Sequence, residues 1–294
     1  MNLNDLLASE GIDPSQVIVM RHRPQEPELN KVLPWLAAEK PDTFNAYQQT
    51  QGTAAENAMR QLQGKGYIAS FIRHAPTKAL FVGVYKIGAT TPLTPEQYWS
   101  VPAYQEMKAF GMYGFSENDG REHVLWFDLA LTDFYADWKG KLIVGWPPPE
   151  RSWWRRSHRN VMPVLAVLEQ SALDAAMPEW DQIDLSWEEL AVLPMRWQDI
   201  LRQWRGIYLI FDQSDGKSYV GSAYGSSNLL GRWLSYAASG HGGNRLLRQR
   251  DPRNFRFTIL QRASPDLEAE EVIRLEGTWK ERLHTRAPWG LNDN

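Results

Sequence analysis

The stretch GIYLIFDQSDGKSYVG, residues 206–221, constrains the fold more than any other part of the chain. Two β-forming runs flank a segment containing Asp-Gly, a turn signal, so it reads as an antiparallel hairpin. Each arm sets a tyrosine against a glycine: Tyr208 with Gly206, and Tyr219 with Gly221. Glycine lacks a Cβ and lets backbone or another group approach closely. Hairpin tyrosines are ordinary β-formers. Either ring alone reads as structural; the joint placement points to a site.

The helical pattern MRWQDILRQW delivers the chain to Gly206. After the hairpin come a helix (NLLGRWLSYAAS), a glycine loop (GHGGN), a short helix, a strand (NFRFTILQ), a long helix and a tail ending WGLNDN. Upstream, VIVM (17–20), HVLWFDLAL (123–131) and KLIVGW (141–146) read as strands, and 65–74 with 79–89 as an antiparallel pair. VLPWLAAEKPDTFNAYQQTQ reads as short helices broken at Pro34 and Pro41. PPPERSWWRRSHRN reads as a rigid exit from the sheet, because consecutive prolines cannot continue a ladder. Residues 164–205 read as mostly helical, with Ser186 and Glu189 at capping-box spacing. The fold class is α+β, in two domains: 1–185 with several short strands, and 186–294.

The chain has no cysteine, which excludes disulfides, Cys-based zinc sites and thiol nucleophiles. No run approaches the ~18 apolar residues of a membrane span and the opening lacks a basic lead, so a soluble, cytoplasmic protein is expected. The net charge of −3 is unevenly distributed: residues 201–294 hold 14 Lys+Arg against 10 Asp+Glu, leaving 18 against 25 in residues 1–200. Arg232, Arg245, Arg248, Arg250, Arg253 and Arg256 lie in a stretch with one acid, Asp251. That density suits phosphate contact or a solvated basic face. No phosphate-binding GxxxxGK[ST] loop, HExxH or GxSxG is present.

The last helix can be checked by its periodicity. It is expected to begin after Ser264 with Pro265 at its first position. At about 100° per residue, Val272, Leu275, Trp279 and Leu283 share a narrow arc that also contains Glu276. A carboxylate in an apolar stripe loses hydration, so it must be paired, protonated or bound to a cation. An arginine of the same domain, a metal ion and a catalytic acid role all remain open on this ground.

GIY at 206–208, YVG at 219–221, Arg232 on the next helix, Glu276 on a later helix and Asn292 near the end together resemble the GIY-YIG nuclease superfamily over about residues 186–294. The resemblance implies an α/β sandwich around a small three-stranded antiparallel sheet, and hydrolysis of DNA phosphodiesters as in restriction, repair and mobile-element endonucleases. It further implies one Mg²⁺ or Mn²⁺ held mainly by Glu276. Tyr208 and Tyr219 are the candidate bases, with Tyr208 favoured, and Arg232 neutralises phosphate. Tyr236, four residues on along the same helical face, supports it. Asn292 holds the leaving side or the local backbone, with Asn294 as its rival. Lys217, His241, Arg245 and Arg248 are candidate DNA contacts. For Lys217 the alternative is a solvated turn; for His241, with Asn244, it is helix capping or turn chemistry.

ALFVGVYKIG, the later strands and GKLIVGW resemble PUA-like modules, including the EVE and YTH relatives, some of which read modified bases through an aromatic pocket. RSWWRRSHR (151–159) combines basic and aromatic residues and reads either as a clamp on a nucleic-acid backbone or as an interdomain strut. The combined expectation is a metal-dependent DNA endonuclease with an N-terminal substrate-selection domain, in a restriction or defence setting; a homodimer would suit a double-strand cut. The alternatives are a non-catalytic nucleic-acid binder on the same scaffold and a protein-interaction module.

Overall fold

The computed structural model describes residues 1–116, 120–173 and 177–293. Contacts divide the chain into two compact units, Met1–Ala175 and Ala176–Asn294. No helix among the described residues is long and apolar enough to cross a membrane.

In the first unit, α1 (Leu3–Ser9), β1 (Val17–His22), α2 (Pro27–Glu39), α3 (Pro41–Gln49), α4 (Thr53–Arg60), β2 (Tyr67–Ala75) and β3 (Lys78–Leu93) are followed by α5 (Pro95–Ser100), α6 (Pro102–Lys108), β4 (Val124–Leu131), β5 (Leu142–Gly145), β6 (Trp154–Arg156) and β7 (Val164–Val167). The strands form one mixed sheet in the order β6-β1-β2-β3-β5-β7, with β4 also on β3. β1 and β2 are parallel. Alternate residues face opposite sides of a sheet, and both sides are apolar here. Val17, Val19, Phe71 and Phe81 pack with Leu3 and Leu7 of α1, whereas Ile18, Met20, Ile68 and Phe127 pack with Ala58 and Met59 of α4.

Three local readings change in this unit. Pro34 does not end a helix: α2 runs through it, because Leu29, Val32, Leu33, Leu36 and Ala37 are all buried along one side and their burial outweighs the ~3 kcal/mol cost of an internal proline. The chain leaving the proline run returns to the sheet, since Trp154–Arg156 pairs antiparallel with β1 as an edge strand. Val164–Val167 is strand rather than helix, pairing with β5; periodicity over four residues does not separate the two.

In the second unit, β8 (Asp184–Ser186), α7 (Trp187–Ala191), α8 (Met195–Gln203), β9 (Arg205–Asp212), β10 (Ser218–Ala223), α9 (Asn228–Ser239), β11 (Phe255–Ala263) and α10 (Ala269–Arg282) build an antiparallel sheet in the order β10-β9-β11-β8. The three expected strands are present and β8 adds a fourth at the far edge; with one apolar residue, Leu185, it left no readable pattern. The Ser186 and Glu189 capping box opens α7. One sheet face packs against α7, α8 and α9 around the fully buried Trp233. On the other face Ile207 and Val220 meet Val272 of α10, with Leu275 and Trp279 packed alongside. This helix starts at Ala269, not Pro265, because Arg205 Nη1 binds the carbonyls of Pro265 (2.6 Å) and Leu267 (2.8 Å) and holds that segment out of the helix.

His22 is buried in the first unit, edge-on to Phe44 and Tyr47 and within 3.3 Å of the Gln48 amide oxygen. Burial pushes its pKa from 6.5 to about 4. The unfolded chain therefore takes up a proton below about 6.5 that the folded chain refuses until about 4. His22 stays neutral in the fold, so stability is full above that window and falls by about 3 kcal/mol as pH drops through it. Denaturant melts between pH 7 and pH 4 should show this loss, and His22→Leu should remove it. An equal acid loss in both proteins would contradict the assignment.

Candidate active site

Strand β10 carries the site. It is an outer strand of its sheet, and four consecutive residues, Tyr219 to Ser222, each meet a candidate residue. Tyr219 turns its ring toward Tyr208 and Tyr236, with centroids 6.4 and 6.5 Å away. Val220 is bound on both backbone groups by the Asn292 side chain: its N–H donates to Oδ1 (2.9 Å) and its carbonyl accepts from Nδ2 (2.8 Å). Gly221 lies under Tyr208, and a Cβ there would collide with the Tyr208 ring and hydroxyl. Ser222 donates its hydroxyl to the Glu276 carboxylate. The other motif glycine, Gly206, has the carbonyl of Gln261 where a Cβ would stand, so both glycines are required by close approach.

On the α9 side, the Tyr208 and Tyr236 hydroxyls are 3.1 Å apart, and Arg232 Nε donates to the Tyr208 oxygen at 3.4 Å. Tyr208 and Tyr236 are fully buried, Tyr219 keeps 8% of its surface, and Arg232 is exposed. Burial pushes the Tyr208 hydroxyl well above the ordinary tyrosine range, with neighbouring Tyr219 adding to the effect and Arg232 and Tyr236 opposing it. Tyr236 is raised further, again chiefly by burial. The Tyr219 hydroxyl has no hydrogen-bond partner among the described residues. Arg232 thus joins a buried phenol pair to solvent, holding a planar cation in place at the surface.

Val220 and Ser222 point to the α10 side. The Glu276 side chain there is 16% exposed; one carboxylate oxygen accepts from Ser222, and the other pairs with Lys280 Nζ at 2.8 Å. The apolar arc therefore positions the acid as expected, although Leu283 lies past the helix end and is exposed. The ionic partner is a lysine one turn along the same helix, not an arginine. Among the described residues no group of three or more His, Cys, Asp or Glu gathers. A cation at Glu276 would have a single protein carboxylate and would complete its shell with water and phosphate, a donor set that suits Mg²⁺. The residues present fit such an ion.

The remaining candidates occupy local contacts. Lys217 Nζ donates to the Pro288 carbonyl at 3.1 Å. His241 Nδ1 accepts the Gly243 N–H at 2.9 Å, and Asn244 caps the following turn by accepting from Leu246 and Leu247. Arg245 is bound through two nitrogens to Asp293, while Arg248 is exposed. Three neighbouring arginines are likewise paired: Arg250 with Asp212 and Asp215, Arg253 with Asp251, and Arg256 with Asp184. The arginine density of this stretch is thus largely neutralised by carboxylates, all but Asp251 distant in sequence. Asn294, the rival of Asn292, lies outside the described residues.

Residues 205–292 match the family model of the GIY-YIG catalytic domain. The C-terminal part of the chain is a GIY-YIG domain. Its fold is that of a family of endonucleases. No curated protein and no solved structure matches the chain. The matched GIY-YIG region begins at Arg205, the first residue of β9, so β8 and helices α7 and α8 precede the matched residues within the same compact unit.

Two residues of this GIY-YIG site escaped the sequence reading. Lys280 carried a signal, the Glu to Lys spacing of four within a helix. Ser222 carried none, because its meeting with Glu276 depends on how α10 lies over β10. The Asn292 contact yields a stability test. Removing the amide in Asn292→Ala leaves both buried polar groups of Val220 without partners, at about 1–3 kcal/mol each. Chemical denaturation should show a loss of about 2–5 kcal/mol; a loss below about 0.5 kcal/mol would mean that other contacts hold β10 in place.

Proposed function

We propose that the protein is a metal-dependent DNA endonuclease, of a restriction or defence kind, whose N-terminal unit selects the DNA, modified DNA included. The observation that carries the reading is the joint engagement of β10 with Tyr208, Asn292 and Glu276 inside a GIY-YIG domain. A scaffold that only bound nucleic acid would have no need of a carboxylate held half-buried beside an apolar helix face.

Phosphodiester hydrolysis joins a water oxygen to phosphorus while a P–O ester bond breaks, and it needs a proton acceptor for the water and countercharge for the phosphoryl oxygens. Glu276 would hold a divalent cation, which supplies charge stabilisation at phosphate when bound. Arg232 would donate to a phosphate oxygen from the solvent side, its orientation fixed by its bond to Tyr208. The sequence reading favours Tyr208 as base; burial favours Tyr219 instead. The Tyr208 hydroxyl is sealed from water and engaged by Arg232 and Tyr236, whereas Tyr219 keeps an unengaged hydroxyl. A phenol accepts a proton only as the phenolate, so the base must give up its own proton before it takes one from water.

The selection role rests on a cavity of about 280 Å³ in the first unit, lined by Tyr47, Tyr98 and Phe115 with Glu26, Gln51 and Arg121 at its polar positions. Tyr98 is held flat against Tyr104 at a centroid distance of 4.0 Å. Aromatic walls with a few polar groups suit an unstacked base.

Purified protein with Mg²⁺ or Mn²⁺ should cut plasmid, phage or methylated DNA, and chelator should stop it. Glu276→Ala should abolish cutting while leaving DNA affinity within about twofold; undiminished cutting would overturn the metal assignment. Tyr219→Phe should lower the single-turnover rate by about 10²–10⁴. If Tyr219→Phe keeps a near-normal rate and Tyr208→Phe loses it, the base is Tyr208.

A further inference from the structure

A cluster of arginines without carboxylate partners among the described residues lies outside the GIY-YIG domain. The cluster RSWWRRSHR forms one wall of a groove of about 510 Å³ in the first unit, lined by Trp153, Trp154, Arg155, Arg156, Arg159 and Asn160 along and beyond the edge strand β6. Among the described residues none of these three arginines has a carboxylate partner. Arg155 donates to the carbonyls of Pro147 (3.3 Å) and Pro149 (2.9 Å), Arg156 to the Gln61 side-chain oxygen (2.7 Å), and Arg159 to His158 (3.2 Å). Each guanidinium has five donors, so most of these remain available. The contrast is with Arg21 and Arg73 of the same unit, which share Glu150, and with Arg245, Arg250, Arg253 and Arg256, all bound to aspartates.

We propose that this groove binds the phosphate backbone of duplex DNA, which rests on the endonuclease reading above. Three arginines without carboxylate partners among the described residues stand within five residues, on a stretch of chain, residues 1–200, that is net acidic. A local positive groove on an acidic body confines a polyanion to that groove. The tryptophans narrow the choice of ligand. Trp153 and Trp154 pack against the core cluster of Ile18, Met20 and Met59, so their rings serve as walls instead of free platforms for single-stranded bases. What faces the ligand is guanidinium, which recognises phosphate and carries no sequence information. The groove is accordingly an affinity site, and its partner is the sugar-phosphate backbone.

The test is binding of full-length protein to a short labelled duplex, measured by fluorescence anisotropy in chelator across a salt series. Arg155 is left intact because its two carbonyl bonds secure the proline turn. Each phosphate contact contributes about 0.9 to the slope of log affinity against log salt. Arg156→Gln with Arg159→Gln should therefore lower the slope by about 2 and weaken binding at low salt by at least tenfold. Arg156→Lys with Arg159→Lys should keep the slope, since charge alone is needed. Arg159→Gln alone, at an exposed position without a core contact, should lower the slope by about 1 and keeps the test valid if the double variant misfolds. Wild-type binding and slope in the glutamine variants, with wild-type cutting, would overturn the groove and leave the endonuclease reading standing. A lysine variant as weak as the glutamine variant would show a structural role and overturn it too. No duplex binding and no cutting by the wild-type protein would remove both.

Discussion

The two hydrogen bonds between the Asn292 amide and the backbone of Val220 do for β10 what a further strand would do. An outer strand presents unpaired donors and acceptors on its open side and is free to twist or fray. Here the chain returns after α10, places Leu291 N–H on the Ser218 carbonyl at 2.9 Å, and closes the Val220 pair with a side chain. Tyr219, Gly221 and Ser222 are thereby held on both sides of the clamp. The geometry of the tyrosine face and of the carboxylate face both depend on this strand staying in register.

The same strand joins two environments with opposite electrostatic needs. On the α9 side, burial keeps Tyr208 and Tyr236 neutral, and the exposed Arg232 brings the cationic charge. On the α10 side a carboxylate is kept half-buried, with Ser222 and Lys280 each serving one oxygen. An unpaired charge at that depth would be strongly unfavourable, so the lysine stabilises the acid in the free protein. A divalent ion at the carboxylate would compete with the same ammonium, which makes cation affinity and the position of Lys280 two readings of one equilibrium.

Much of the second unit was legible because its constraints are local. The hairpin, the helix after it and the final amphipathic helix all carry periodicity or turn chemistry within a short window, and Glu276 stood out as an acid inside an apolar arc. Partners set by tertiary contact were not legible. Nothing in the run of Arg245, Arg250, Arg253 and Arg256 announces that Asp293, Asp212, Asp215 and Asp184, all outside that run, would fold onto it. The burial that separates Tyr208 from Tyr219 is likewise a property of the packed sheet and not of two similar motifs. In the first unit, β6 and β7 were hidden by brevity, and α2 by a proline that the core overrides.

We propose that Glu276 is held at β10 to receive a divalent ion. A crystal soaked in manganese tests it most directly through anomalous scattering. The account predicts a manganese peak bonded to the Glu276 carboxylate, with the Lys280 ammonium moved off the oxygen it now pairs with. An intact Glu276–Lys280 pair at saturating manganese, with the ion absent or bound elsewhere in the domain, would contradict it.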